Sequence, residues 1–272
     1  MIQKLYPGGK SKAFNISYDD GVVQDIRFVE LLNRYGLKGT FNLNYGLMQS
    51  GFTWQHECGM TIRRLRREEV CALYEGHEIA SHSYSHPYFD EMSEMEILRE
   101  LGSDKFFLEK LTGCEVAGYA TPFYFYSDRM ADCVRHCGFA YARISEESND
   151  YSIPEDFYHW RGSKFHWDED LEEFVRRFLE TDQELALCQI VGHSYDLDVM
   201  NGWNTLERIC HAVGNARDVW AATHIQLVRY LRSMQNARIT DRAVQNESSA
   251  ALWFLVDGKP VELKPGETIQ LK

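Results

Sequence analysis

Nowhere does this sequence approach the ~18 consecutive apolar residues of a membrane-crossing helix. Its opening, Met1-Ile2-Gln3-Lys4-Leu5-Tyr6-Pro7, has no apolar signal core. Basic residues are in deficit, 29 against 41 acidic, and the net charge of -12 disfavours a nucleic-acid partner. The densest basic stretch, Arg63-Arg64-Leu65-Arg66-Arg67, runs directly into Glu68-Glu69 and reads as a solvated junction between a loop and a helix. The seven cysteines are an odd number with no C-x-x-C pair, which argues for reduced thiols rather than a disulfide framework. These absences lead us to expect a cytoplasmic protein with no membrane or nucleic-acid partner, and they leave the oligomeric state open. Internal repeats and low-complexity tracts are also missing.

What is present suits an α/β domain. A chain of 272 residues that is 44% apolar and 13% aromatic can bury a substantial core. Lys12 to Tyr18 alternates apolar and polar residues, as a strand does, and stops at Asp19-Asp20-Gly21. Val22, Ile26, Val29 and Leu32 then fall on one helical face, with Gly36 as the stop. Further strands are expected at 39–43, 77–81, 115–120, 139–142 and 185–191. Helices are expected between them, the 93–111 helix opening on a Ser93/Glu96 capping box. Alternation of this kind predicts a mainly parallel sheet of about seven strands, closed into a deformed or incomplete (β/α) barrel over residues 1–236. Residues 237–272 change pattern, with strand-like runs around Asp257-Gly258 and Pro265-Gly266, and read as a small β appendage. The polar connection 44–66 is long enough to suggest a functional loop.

Polar residues gather where the predicted strands end. His82 and His86, four apart just past a strand, can aim two imidazoles at one point. That spacing is weak evidence by itself. Asp19-Asp20 can divide cation binding from base chemistry, or can simply cap the next helix. His193, after the apolar run 185–191, is either a rigidly held acid or a satisfied core histidine. One site shared by all five is the economical reading.

Ser17-Tyr18-Asp19-Asp20-Gly21, Ser81-His82-Ser83-Tyr84-Ser85-His86-Pro87 and Val191-Gly192-His193 resemble, in order and spacing, motifs of the polysaccharide deacetylases. This is carbohydrate esterase family 4, and the likeness spans residues 12 to 231. The resemblance implies a deformed (β/α) barrel and one divalent metal, zinc first, with cobalt, nickel or iron as alternatives. It implies Asp20, His82 and His86 as ligands, Asp19 as general base, His193 as general acid and the peptide N–H of Phe123 as an oxyanion donor. The substrate would be an acetylated carbohydrate: an N-acetylated sugar or polysaccharide, or alternatively an O-acetyl ester on a polysaccharide such as xylan. One motif departs. Where the family has Arg-x-Pro-Tyr, this chain has Ala120-Thr121-Pro122-Phe123, so the arginine that orients the base is missing. Arg143, ahead of Arg161, is the candidate replacement, and a weakly catalytic carbohydrate-binding relative is the competing outcome. Asp196 and Asp198 are candidate partners of His193. Pro122, Trp160, His166, Trp167 and Trp203, with both arginines, are candidate substrate-binding residues, aromatic rings being suited to sugar faces.

Overall fold

The computed structural model describes residues 2–49 and 52–271. Its centre is a wholly parallel sheet of nine strands among the described residues. In chain order these are β1 Lys12–Asp19, β2 Gly39–Leu43, β3 Glu78–Ser81, β4 Gly118–Ala120, β5 Tyr141–Glu147, β6 Trp160–Gly162, β7 Lys164–Phe165, β8 Ala186–Gly192 and β9 Val219–Ala221. The order around the sheet is β7-β8-β1-β2-β3-β4-β5-β6. Only Ser163 separates β6 from β7, and its N–H donates to the Gln189 carbonyl of β8, 2.9 Å away. The two ends of the sheet therefore meet, and the result is the deformed barrel expected from the alternating pattern. β9 pairs only with the first half of β1, at residues 12–14, and leaves residues 16–19 to β2.

β1 shows why the sequence alternates. Phe14, Ile16 and Tyr18 enter the cluster between sheet and helices. Asn15, Ser17 and Asp19 have the opposite direction and lie inside the barrel. Parallel register sets Ser17 beside Thr40, and Asp19 beside Asn42. Lower down, the buried Glu78 carboxylate accepts from the Thr40 and Tyr141 hydroxyls and the Ile225 N–H. Burial raises its carboxyl above the usual range against those donors. The helix His224–Gln235, opened by a Thr223/Gln226 capping box, closes the barrel floor. The expected Ser93/Glu96 box also forms, on the helix Glu94–Thr112.

Periodicity did not announce three features. The 160–165 and 219–221 strands are too short to show a pattern. The 44–66 connection contains a hairpin, Thr53–Gln55 with Thr61–Arg63, while residues 50 and 51 within it lie outside the described set. The C-terminal strands form two small antiparallel sheets, and one of them takes Ile2–Leu5 from the far end of the chain to pair with Leu252–Val256. No described helix is long and apolar enough to cross a membrane, and the seven cysteines are free thiols.

Gly118 marks the tightest point of the wall. A Cβ there would lie 2.1 Å from Tyr141 Oη, the hydroxyl that serves Glu78. Gly118→Ala is expected to cost about 1–3 kcal/mol in urea denaturation, because the ring has no free space to move into.

Candidate active site

At the carboxyl ends of the strands lies a cavity of about 220 Å³ lined by Asp19, Asp20, His82, His86, Arg143 and His193, among others. This is the end at which barrel folds collect chemistry. Asp19 is the last residue of β1, and Asp20 follows it in left-handed conformation at φ +83°. Gly21, φ +60°, must be glycine, because a Cβ would stand 2.7 Å from Leu43 Cδ2. His86 (φ +54°) and Phe123 (φ +53°) share the same uncommon backbone region, so the pocket rim is built from strained turns.

Asp20, His82 and His86 each offer a ligand atom, all within 4.8 Å of one another. Asp20 Oδ1 lies 3.9 Å from His82 Nε2 and 3.6 Å from His86 Nε2. His82 Nδ1 donates to the Ala120 carbonyl at 2.8 Å, which commits the ring's other nitrogen to the cluster. Burial pushes His82 down to about 3 and also lowers His86, against the pull of the aspartates. Both imidazoles are therefore neutral at pH 7, the form that ligates a metal. One carboxylate and two neutral imidazoles, with an open face to the cavity, fit a divalent cation. Asp104, buried under the histidine loop, braces it by accepting from the Ser81 hydroxyl at 2.6 Å and the Tyr45 N–H at 2.7 Å.

Asp19 is held differently. Its Oδ1 accepts from Asn42 Nδ2 at 2.7 Å and from Arg143 Nη2. Burial favours the protonated carboxyl, but Arg143 outweighs it and keeps Asp19 below the usual carboxylate range. Arg143 thus reaches the aspartate from β5, although the third motif carries Ala120 where the family has arginine. β4 and β5 pair Ala120 with Arg143, so the guanidinium has moved one strand sideways at the same height.

His193 follows β8 and donates from Nδ1 to Asp196 Oδ2 at 2.9 Å. His166 Nε2 approaches the same oxygen at 3.4 Å, and its Nδ1 pairs with the Tyr18 hydroxyl at 2.6 Å. Burial would lower His193, but the bond to Asp196 and the nearby aspartates raise it to about 9. Asp196 is lowered to about 2 by its two histidines, against burial.

Several of the expected substrate contacts lie away from the cavity. Trp160 is buried inside the barrel against Tyr141, Phe157 and His224. Trp203 is buried on the helical layer, with Nε1 bonded to Asp198, so Asp198 is occupied there and does not serve His193. Arg161 points to the surface and pairs with Glu146. His166 is buried behind His193, and Pro122 does not line the cavity. Phe123 does, stacked on the exposed Tyr88 at 3.7 Å, as do Trp167 and Phe165, stacked on each other at 4.6 Å.

The largest miss is Arg64. Expected in solvent, it is buried, and Nη2 donates to Asp20 Oδ1 at 2.9 Å. Nothing in a run of four arginines distinguishes this one. Asn42 and Tyr195 also join the site without a sequence signal.

Among the curated proteins no sequence relative is found. A polysaccharide deacetylase family model matches residues 7–142, which carry both aspartates and both loop histidines. The fold is shared with a Mycobacterium smegmatis protein assigned as a polysaccharide deacetylase, at TM-score 0.65 and 17% identity, covering 86% of this chain and 94% of that one. It is shared also with a family 4 carbohydrate esterase from Streptomyces lividans in complex with acetate, at TM-score 0.53 and 13% identity, covering 78% and 93%. A family 4 pseudoenzyme from Bacillus anthracis matches at TM-score 0.50 and 15% identity, covering 83% and 68%. With half its length matched by the family model and its fold shared, the chain belongs to the polysaccharide deacetylases.

Proposed function

We propose that the protein is a metal-dependent hydrolase that removes acetyl groups from a carbohydrate, an N-acetylated sugar or polysaccharide first. One observation carries this: a three-ligand cluster, an arginine-held carboxylate and a carboxylate-held histidine share a single cavity. Asp20, His82 and His86 hold the cation. Zinc suits the donor set best, with cobalt, nickel or iron as alternatives. When bound, the cation makes a water more acidic and polarises the acetyl carbonyl.

Asp19 is the base. Arg143 and Asn42 leave its carboxylate ionised and fixed in direction, ready to take the proton of the attacking water. The Phe123 peptide N–H supplies a donor to the developing oxyanion. His193 is the acid. Asp196 fixes its Nδ1–H, so the proton delivered to the departing sugar nitrogen or oxygen is the one on Nε2. Phe123, Tyr88, Phe165 and Trp167 give the sugar ring apolar faces at the rim.

The pseudoenzyme among the structural neighbours keeps a second reading alive: carbohydrate binding with little turnover. Arg143 on Asp19 favours catalysis, because it supplies the contact that Ala120 cannot. Acetate release from acetylated chito- and xylo-oligosaccharides decides between them. The zinc-loaded protein should release acetate, and binding without release across the panel would leave only the second reading.

His82→Ala and His86→Ala should each lower bound metal, measured by mass spectrometry of the purified protein. Asp19→Asn should keep its metal and lose roughly 100-fold or more in kcat. Metal loss in that variant would exchange the roles of the two aspartates.

The acid gives a pH signature. His193 is active while protonated, so its raised value of about 9 keeps it competent at neutral pH and ends activity as pH rises through that value. Asp196→Asn removes the principal raising contact. The alkaline limb of kcat/KM should then move down by about one unit or more, while an unmoved limb would detach Asp196 from the acid.

A further inference from the structure

The hairpin that rises from the 44–66 connection delivers a cation to the metal cluster. Arg64 is anchored at its backbone. Its N–H donates to the Phe52 carbonyl at 2.9 Å, and it bridges antiparallel to Val22. On either side, Val23 N–H donates to Arg63 and Leu65 N–H to Gly21. The residues just after Asp20 thus hold Arg64 in place.

Its side chain is 5% exposed and that of Asp20 6%, so the pair is shielded from water. Nη2 donates to Asp20 Oδ1 at 2.9 Å. Nη1 reaches both the Asp20 carbonyl and Asn44 Oδ1, the latter at 2.7 Å. The guanidinium plane lies over Trp54, 5.2 Å from the ring centroid. Asp20 Oδ1 is also the oxygen nearest both histidine Nε2 atoms. A cation held by this cluster therefore shares its one anionic ligand atom with a fixed guanidinium.

We propose that Arg64 is a built-in competitor of the metal. It neutralises Asp20 when the cation is absent and opposes the cation's charge when it is present. The three ligands then bind metal more weakly, and exchange it more readily, than they would alone. This rests on the metal site of the proposed function. Two effects of Arg64 have opposite signs. Orienting Asp20 strengthens metal binding, and like charge weakens it. Charge dominates, because the backbone that carries Asp20 stays in place without Arg64: the Asp20 N–H donates to the Asn42 carbonyl at 3.0 Å, and the two histidines remain beside the carboxylate. In a dry pocket a full charge a few ångströms away outweighs the loss of one orienting contact.

Calorimetric titration of the metal-stripped protein with zinc tests this, with circular dichroism as the check of fold. Arg64→Gln should lower Kd about tenfold, and Arg64→Lys, which keeps the charge, should stay within about threefold of the unaltered protein. Zinc should also raise Tm further in Arg64→Gln. Weaker or unchanged zinc binding by folded Arg64→Gln overturns the proposal, as does equal tightening in Arg64→Lys. If Arg64→Gln folds only with zinc, the dependence agrees with the proposal, and failure to fold at any zinc concentration overturns it. Absence of His82-dependent zinc binding in the unaltered protein would instead sink the metal site itself.

Discussion

Two carboxylates stand side by side in the buried floor of this pocket, and each has its own arginine. Adjacent buried acids ordinarily share a proton, because burial and mutual repulsion both oppose a second charge. Arg143 on Asp19 and Arg64 on Asp20 remove that conflict. Both acids stay ionised, and the two sets of donors turn them towards different tasks. The rest of the site depends on this separation. Under the proposed function the cluster needs one anion beside two neutral imidazoles, and the base needs a free lone pair. A price follows for Asp19, since a carboxylate held this low is a poor base. The proposed reaction would then draw on the acidity of the attacking water more than on the strength of the group that accepts its proton.

The same logic works in reverse around His193. A single carboxylate, Asp196, accepts from two histidines, and only one of them faces the cavity. His166 is locked by the Tyr18 hydroxyl on its other nitrogen, so it fixes Asp196 without competing for the role of acid. Asp19 and His193 therefore take opposite charges in one buried environment, the first set by Arg143 on β5 across the barrel and the second by Asp196, three residues further along its own chain segment.

The motifs that a sequence shows best are short and contiguous. Asp19-Asp20-Gly21 and the His82–His86 loop could be read because strand geometry and ligand spacing are local properties. Alternation in 12–18 revealed the inward and outward faces of β1 for the same reason. Arg143 could be named as a candidate because it ends a predicted strand, but its partner Asp19 lies on β1 across the barrel, a tertiary fact. Arg64 was opaque because a buried arginine and a solvated one have the same neighbours in sequence, and only the hairpin tells them apart. Trp160 and Trp203 could not be told from Trp167, which does line the cavity, because large rings fill cores as readily as grooves. The 160–165 strand was missed because closing a barrel takes only a few backbone hydrogen bonds and leaves no period to detect.

The strand Ile2–Leu5 has one further consequence. Its partner, Leu252–Val256, lies far from it along the chain. Without that partner the strand would be an unpaired edge, because it belongs to a separate small sheet and not to the barrel. Two segments on either side of the barrel in sequence are thereby tied into one sheet. Loss of order in either segment would leave the other unpaired, so the ladder couples the stability of the two.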